Sequence, residues 1–311
     1  MTLRVLFTGG GGAGNEAIWR LLSGRYVLHF ADADADAFDP SIDPARCHQI
    51  PLASAAGFVA AVASLCRRLN IDVLVPGVDE ELLPLAAAGG ELAPTILLLP
   101  PAAYVETMLD KLTSMQRLGA AGIRVPATEP LETASAVAFP CIAKPRRGRG
   151  SRDVRVVRGR AEADAIAASA PGSFVLQELL AGDEFTVMMA ADAQARLAAV
   201  VPVRVGLKRG ITLRARTEAE PAVIEACEAI HRAMPASGYY NVQLMLTPSG
   251  AALPFEINPR ISTTFCLGVA AGVDPIAVFL GESGRSGRLP FKAGVELRRH
   301  WRNFMSNGSA A

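Results

Sequence analysis

A change of rhythm at Pro100-Pro101 constrains this chain more than any other feature. Before it, short apolar runs at 4–8, 26–30, 72–76 and 96–99 alternate with helical stretches at 15–23, 58–70 and 80–88. Strands separated by helices predict a parallel sheet with right-handed crossovers. Two adjacent prolines then stop the pattern. Beyond them a helix over 111–121 leads to strands at 141–145 and 154–157, a helix at 161–170, and strands at 174–178, 185–190 and 195–205. A long helix over 218–234 precedes strands at 240–246 and 252–257, joined by a Pro-Ser-Gly turn. Short loops between those strands predict antiparallel pairing. The fold class expected is therefore α/β over residues 1–100 followed by α+β over 101–290, with a C-terminal segment 291–311 whose small, polar last residues are expected to be disordered.

Composition narrows the function classes. Half of the 311 residues are hydrophobic, enough for real cores, and 31 basic against 30 acidic side chains argue against a general nucleic-acid or membrane-surface binder. Aromatics at 6% are too few for base-stacking platforms. Pro, Gly or a charge interrupts every candidate apolar stretch before the length of a membrane span. The start MTLRVLFTGG reads as a buried strand rather than a signal peptide. Five scattered cysteines, at 47, 66, 141, 227 and 266, favour neither a disulfide framework nor a zinc site, so a cytoplasmic location is expected.

Five segments carry chemistry. Gly9-Gly10-Gly11-Gly12-Ala13-Gly14 satisfies GxGxxG, and Asp32, Asp34 and Asp36 follow at about the spacing of a dinucleotide site. Four consecutive glycines match almost any glycine pattern, so a plain strand-to-helix turn that holds no dinucleotide explains them better. Asp79, Glu80 and Glu81 follow an apolar strand, where open α/β sheets place ligands and where a helix N-terminus also favours acids. Lys144 ends an apolar strand and runs into Pro145-Arg146-Arg147-Gly148-Arg149-Gly150-Ser151. That is a fixed cation beside a flexible, amide-rich loop, suited to gripping a polyphosphate or, on the plainer reading, an exposed basic hairpin for docking RNA or a partner. Glu178 and Glu184 flank a polar connection that would suit a nucleoside.

The most specific segment is the last strand pair. Glu256 and Asn258 share a face because strand side chains alternate, and Gln243 can lie beside them across the turn. One carboxylate with two amide oxygens is a hard donor set suited to Mg²⁺. Arg260 would add charge where a phosphoryl group sits. Apolar strands on both sides argue against a merely solvated hairpin face.

Taken together, Asp110-Lys111-Leu112, Lys144-Pro with its glycine-rich loop, Gln177-Glu178 to Glu184, Asn241-Val-Gln243 and Glu256-Ile-Asn258-Pro-Arg260 resemble the ATP-grasp superfamily, in its carbamoyl-phosphate-synthetase-like branch. The first hundred residues resemble the Rossmann-like pre-ATP-grasp domain, and the whole resemblance covers about residues 3–280. It implies an ATP-grasp fold with a small lid subdomain over about 113–176 and an antiparallel core. It also implies an ADP-forming carboxylate–amine ligase, with a thiol or other nucleophile as the alternative to the amine, that uses ATP and Mg²⁺, with Mn²⁺ as a substitute. Lys111 and Lys144 would meet the phosphates, Gly148, Gly150 and Ser151 would form the lid, Glu178 and Leu180 would meet adenine and Glu184 the ribose. Gln243, Glu256 and Asn258 would hold the metal, and Arg260 would sit at the transferred phosphoryl group.

Glutamine at 243, where many ligases carry an acid, matches the synthetase version. The basic stretch 204–216 raises Lys208 and Arg214 as candidates for holding the substrate's carboxylate or phosphate, with a plain solvated loop as the alternative. Small-molecule carboxylate and amine partners are expected, as a monomer or homodimer, with no nucleic acid and no membrane. Phosphorylation of bicarbonate or carbamate, as in one synthetase half, is a second enzymatic reading, and a non-catalytic NAD(P)- or nucleotide-binding module a third. Charge distribution favours a local polyanion site. Residues 144–155 hold six basic side chains and one acid, residues 204–216 hold five and none, and the remainder carries 20 basic against 29 acidic.

Overall fold

Val5-Leu6-Phe7 is apolar on both faces, which only a strand covered on both sides tolerates. In the computed structural model, which describes residues 2–282 and 287–300, it lies at the centre of a five-stranded parallel sheet. The elements are β1 (Arg4–Thr8), α1 (Asn15–Leu22), β2 (Val27–Asp32), β3 (Cys47–Gln49), α2 (Phe58–Leu69), β4 (Val73–Val75), α3 (Asp79–Ala87) and β5 (Ile96–Leu97). Their order, β3-β2-β1-β4-β5, makes the chain leave β1 in opposite directions towards β2 and β4. The crevice past the ends of β1 and β4 is the switch point at which open α/β sheets bind ligands.

After Pro101 the chain forms α4 (Ala102–Leu109), a helix the sequence pattern did not announce, and α5 (Lys111–Ala120). Asp110 starts α5 by accepting hydrogen bonds from the Leu112 and Thr113 amides at 3.0 and 3.1 Å. A four-stranded antiparallel sheet follows, built from β6 (Thr128–Pro130), β7 (Cys141–Pro145), β8 (Arg155–Val157) and β9 (Phe174–Glu178) in the order β6-β9-β7-β8, with α6 (Arg160–Ser169) against it. It has a core of its own around Leu131, Cys141, Ala143, Val157 and Leu176.

The remaining elements are β10 (Asp183–Ala191), β11 (Leu197–Arg209), β12 (Ile211–Thr217), α7 (Pro221–Ala233), β13 (Gly238–Leu246), β14 (Ala252–Asn258), α8 (Phe265–Ala270), α9 (Pro275–Phe279) and β15 (Glu296–Arg298). The strands form a six-stranded sheet in the order β14-β13-β10-β11-β12-β15. β10 shows no polar–apolar alternation because it serves two cores. Met188 and Ala190 pack with Val5, Phe7 and Phe30 of the parallel sheet, whereas Phe185, Val187 and Met189 pack with Val223, Cys227 and Ile230 of α7. The first and third sheets thus share a core.

The basic stretch 204–216 is the tip of the β11–β12 hairpin rather than a loop. No helix among the described residues is long and apolar enough to cross a membrane. The expected disorder of 306–311 falls outside the described residues.

Candidate active site

The second and third sheets face each other across a cavity of about 340 Å³, a size suited to a small ligand. Thirteen of the fourteen site residues expected from sequence line it: Lys111 and Lys144; Gly148, Gly150 and Ser151; Glu178, Leu180 and Glu184; Lys208; and Gln243, Glu256, Asn258 and Arg260. Arg214 departs from this. It is exposed on β12 between Leu207 and Arg298, away from the cavity lining, because it lies on the outer stretch of the hairpin.

A bulge makes the centre of the site. Gln243 pairs with Glu256 but Leu244 pairs with Pro254, so Phe255 is an extra residue on β14. An inserted residue is left out of the ladder, and the Phe255 carbonyl turns to other donors. Lys144 Nζ donates to it at 2.9 Å and Gln177 Nε2 at 3.4 Å. The Lys144 ammonium also lies 5.6 Å from the Phe255 ring centre. Burial pulls the Lys144 pKa down to about 8; Glu256 opposes this, and Lys111 and Lys208 reinforce it.

Lys111 opens α5 and reaches across the gap. Its Nζ donates to the Gly148 carbonyl at 2.7 Å and stands 3.7 Å from Glu256 Oε1. The loop after Lys144 is tied down at its root, where Arg146 Nη2 donates to Asp110 Oδ2 at 2.7 Å and the Lys111 amide donates to the Arg146 carbonyl at 2.9 Å. Burial raises the Asp110 carboxyl, but Arg146 and the α5 amides outweigh it and the group titrates below its ordinary range. Beyond the root, Gly148 and Gly150 take φ values of +133° and +68°. A Cβ there would meet little, so a substitution would suffer from backbone strain rather than crowding. On the opposite wall Lys208 Nζ donates to Glu184 Oε1 at 2.7 Å, and Glu178 Oε2 accepts from the Ala127 amide at 3.2 Å.

The β13–β14 ladder also sets Asn241 opposite Asn258. Asn258 Nδ2 donates to Asn241 Oδ1 at 3.3 Å, which leaves the side-chain Oδ1 of Asn258 for a cation, and Asn241 Nδ2 donates to the Arg260 carbonyl at 2.9 Å. Glu256, Asn258 and Gln243 therefore offer an all-oxygen set that fits Mg²⁺. Among the described residues there is no cluster of three or more His, Cys, Asp or Glu side chains near enough to hold a metal. An ion here would rest on Glu256, amide oxygens and ligand phosphates.

Residues 108–264, half of the chain, match the ATP-grasp domain family. The chain belongs to the ATP-grasp family. Membership makes it an enzyme of the ATP-grasp class.

The pyruvate carboxylase of Rhizobium etli is similar in structure, with a TM-score of 0.67 and 17% identity; the likeness spans 89% of this chain and 28% of that one. The biotin carboxylase domain of the Hydrogenobacter thermophilus 2-oxoglutarate carboxylase, a dimer in complex with MgADP and bicarbonate, gives 0.69 and 13%, over 95% and 74%. An L-amino acid ligase from Bacillus licheniformis gives 0.67 and 18%, over 89% and 73%. At these identities the likeness is one of fold. No curated protein sequence matches the chain.

Within this ATP-grasp fold the glycine-rich turn serves the chain itself. The Gly11 amide donates to Asp32 Oδ2 at 2.8 Å, so the acid expected at a dinucleotide ribose instead closes its own loop. Asn15 Nδ2 donates to the Gly9 and Gly10 carbonyls at 2.8 and 2.9 Å. Gly14 lies against the Thr263 carbonyl, which an added Cβ would approach to 3.2 Å. The crevice of the parallel sheet thus receives residues 261–264, which continue from the metal-candidate strand.

The acidic triplet of α3 splits between three partners: Asp79 with Arg260, Glu80 with Arg149 at 3.0 Å, and Glu81 with the Thr8 hydroxyl, which donates to it at 2.5 Å. Asn241 and Asp110 were not singled out from sequence as site side chains, whereas Asp79 was raised as one of three acids that suit either a ligand or a helix N-terminus. Asn241 and Asp110 could have been, since each sits inside a motif already quoted.

Proposed function

We propose that the chain is an ATP- and Mg²⁺-dependent ligase that activates a small carboxylate as an acylphosphate and joins it to an amine, releasing ADP and phosphate. The observation that carries this reading is the convergence of Lys111, Lys144 and Lys208 on one cavity with Glu256 at its centre. A site built this way binds a polyanion through fixed cations and keeps one carboxylate for a metal, which is what phosphoryl transfer needs.

Lys111 and Lys144 would hold the phosphates, and the loop carrying Gly148, Gly150 and Ser151 would cover them. Glu178 and Leu180 would meet adenine. Glu184 would meet the ribose, exchanging part of its bond to Lys208. Glu256, with Asn258 and Gln243, would hold Mg²⁺, which when bound neutralises phosphate charge. A substrate carboxylate oxygen attacks the γ-phosphorus as ADP leaves, and Arg260 offsets the charge on the transferred group. The amine nitrogen then attacks the acyl carbon, phosphate departs and the amine loses a proton. The similar L-amino acid ligase fits an amino-acid-like substrate, and the dimeric carboxylase domain fits a homodimer.

The test is ADP release in the presence of Mg²⁺ with panels of carboxylates and amines, with the product found by its mass. Turnover that needs only bicarbonate would replace this reading with bicarbonate phosphorylation. ATP turnover undiminished in Glu256→Ala would overturn it.

A further inference from the structure

Arg260 is held from two sides. Its backbone carbonyl accepts from Asn241, and its Nη1 donates to the neighbouring Ile261 carbonyl at 2.9 Å. Its Nε donates to Asp79 Oδ1, a residue 181 positions away on the first turn of α3. The two side chains are only 14% and 11% exposed. Arg260 lines the cavity and Asp79 does not.

A guanidinium has five N–H donors in a rigid plane. Fixing Nε–H and one Nη1–H sets the orientation of that plane and leaves the Nη2 edge for a ligand. Asp79 does not cap its own helix, since the N-cap is Val78 and no side chain caps it. It stands past the end of β4, at the switch point of the parallel sheet, so the ligand-binding end of one sheet steadies an arginine that follows a strand of another.

We propose that Asp79 is a positioning residue that aims Arg260 at the transferred phosphoryl group, which makes the N-terminal sheet a working part of the site. The inference rests on the placement of ATP in the preceding section, and its test reads binding rather than turnover. A contact at the terminal phosphate is made by ATP and not by ADP, so the preference for MgATP over MgADP isolates it.

Calorimetric titration of MgATP and MgADP into the full chain is the measurement. Asp79→Ala is expected to reduce the ATP-over-ADP preference about tenfold, the scale of one charge-assisted hydrogen bond, with MgADP affinity unchanged within about twofold. Asp79→Asn keeps an oxygen acceptor for Nε–H and is expected to retain the preference within about threefold. In an Arg260→Ala background, Asp79→Ala should change the preference no further. If Asp79→Ala does not fold, Asp79→Ser, whose hydroxyl falls short of the guanidinium, carries the same expectation. Equal loss of both nucleotides would mean a merely structural role and overturn the inference. A preference raised by both Asp79→Ala and Asp79→Asn would overturn it too, because Asp79 would then be damping the arginine's charge. A wild-type chain that binds neither nucleotide would overturn the ATP placement and this inference together.

Discussion

Lys144 Nζ donates at 2.9 Å to the carbonyl of Phe255, the one residue that β14 inserts against β13, so the site's most buried cation is held by a defect in the neighbouring ladder. Burial sets the Lys144 pKa at about 8 against a starting value of 10.5. The unfolded chain therefore binds more protons between those two values, and this group makes stability rise with pH across that window. Function runs the other way, because a phosphate grip needs the charged form. MgATP affinity is expected to fall above about pH 8, approaching tenfold per pH unit, and binding near pH 8.5 should take up protons. Calorimetry in buffers of different ionisation enthalpy reads both effects. Binding without proton uptake would show that Lys144 does not meet the phosphates.

The same residue sets function against stability. Keeping a Lys144 charge buried at pH 7 costs about 3 kcal/mol, from the size of the shift. Lys144→Met removes that cost but takes a donor from the Phe255 carbonyl, a loss of about 1–3 kcal/mol softened by the Gln177 amide. The two nearly cancel. The expected outcome is a melting midpoint within a few degrees of wild type, with nucleotide affinity reduced at least about tenfold. A large drop in midpoint with affinity intact would reverse this assignment.

How much of this was legible in the sequence depends on how far apart the partners lie along the chain. The strand runs were readable because Val5-Leu6-Phe7 and the Phe185–Ala190 stretch state their burial in consecutive residues. Glu256 and Asn258 were readable as one face because alternation along a single strand decides it. β12 was open to the same reasoning: Arg214 and Arg216 are exposed while Ala215 and Thr217 are buried, a period-two signal hidden beneath the concentration of charge. The three-residue β3 and the six-residue α8 are too short to show a period. The Asp79–Arg260 pair was not legible at all. It depends on which segment crosses the end of the parallel sheet, and local pattern carries no information about that. The same ignorance left the glycine-rich turn ambiguous until residues 261–264 were seen against it.

Glu80 and Arg149 tie α3 to the loop over the cavity at 3.0 Å, with side chains 55% and 32% exposed. A pair this open to solvent contributes about 0–1 kcal/mol and is screened by salt. Glu80→Gln should therefore raise trypsin cleavage after Arg147, Arg149 and Arg152 by no more than about fivefold in low salt, and by less in high salt. MgATP should suppress cleavage in both proteins, because phosphates would replace Glu80 as the partner of the loop's cations. Cleavage unaffected by nucleotide would count against a lid role for Gly148–Ser151.

Glu81 supplies a pH signal from beneath the site. The residue is 6% exposed at the switch point; its carboxyl accepts from the Thr8 hydroxyl at 2.5 Å and is pushed up to about 7 by burial, with Asp32 adding to the rise. The folded-state value lies above the ordinary 4.5, so the folded chain holds the extra proton between about pH 4.5 and 7. Stability attributable to this group is thus full below that window and falls as pH rises through it. Glu81→Gln keeps an oxygen for the Thr8 hydroxyl and abolishes the ionisation. At pH 8 the wild-type carboxylate costs about 3 kcal/mol, of which an added amide hydrogen left without an acceptor would take back about 1 kcal/mol or more. Glu81→Gln is therefore expected to melt several degrees above wild type at pH 8, with the two curves crossing as pH falls and the variant slightly below wild type by about pH 4. Thermal unfolding across that range is the measurement. Parallel curves would mean that Glu81 is ionised throughout, its charge held by the Thr8 hydroxyl and the turn amides despite its burial.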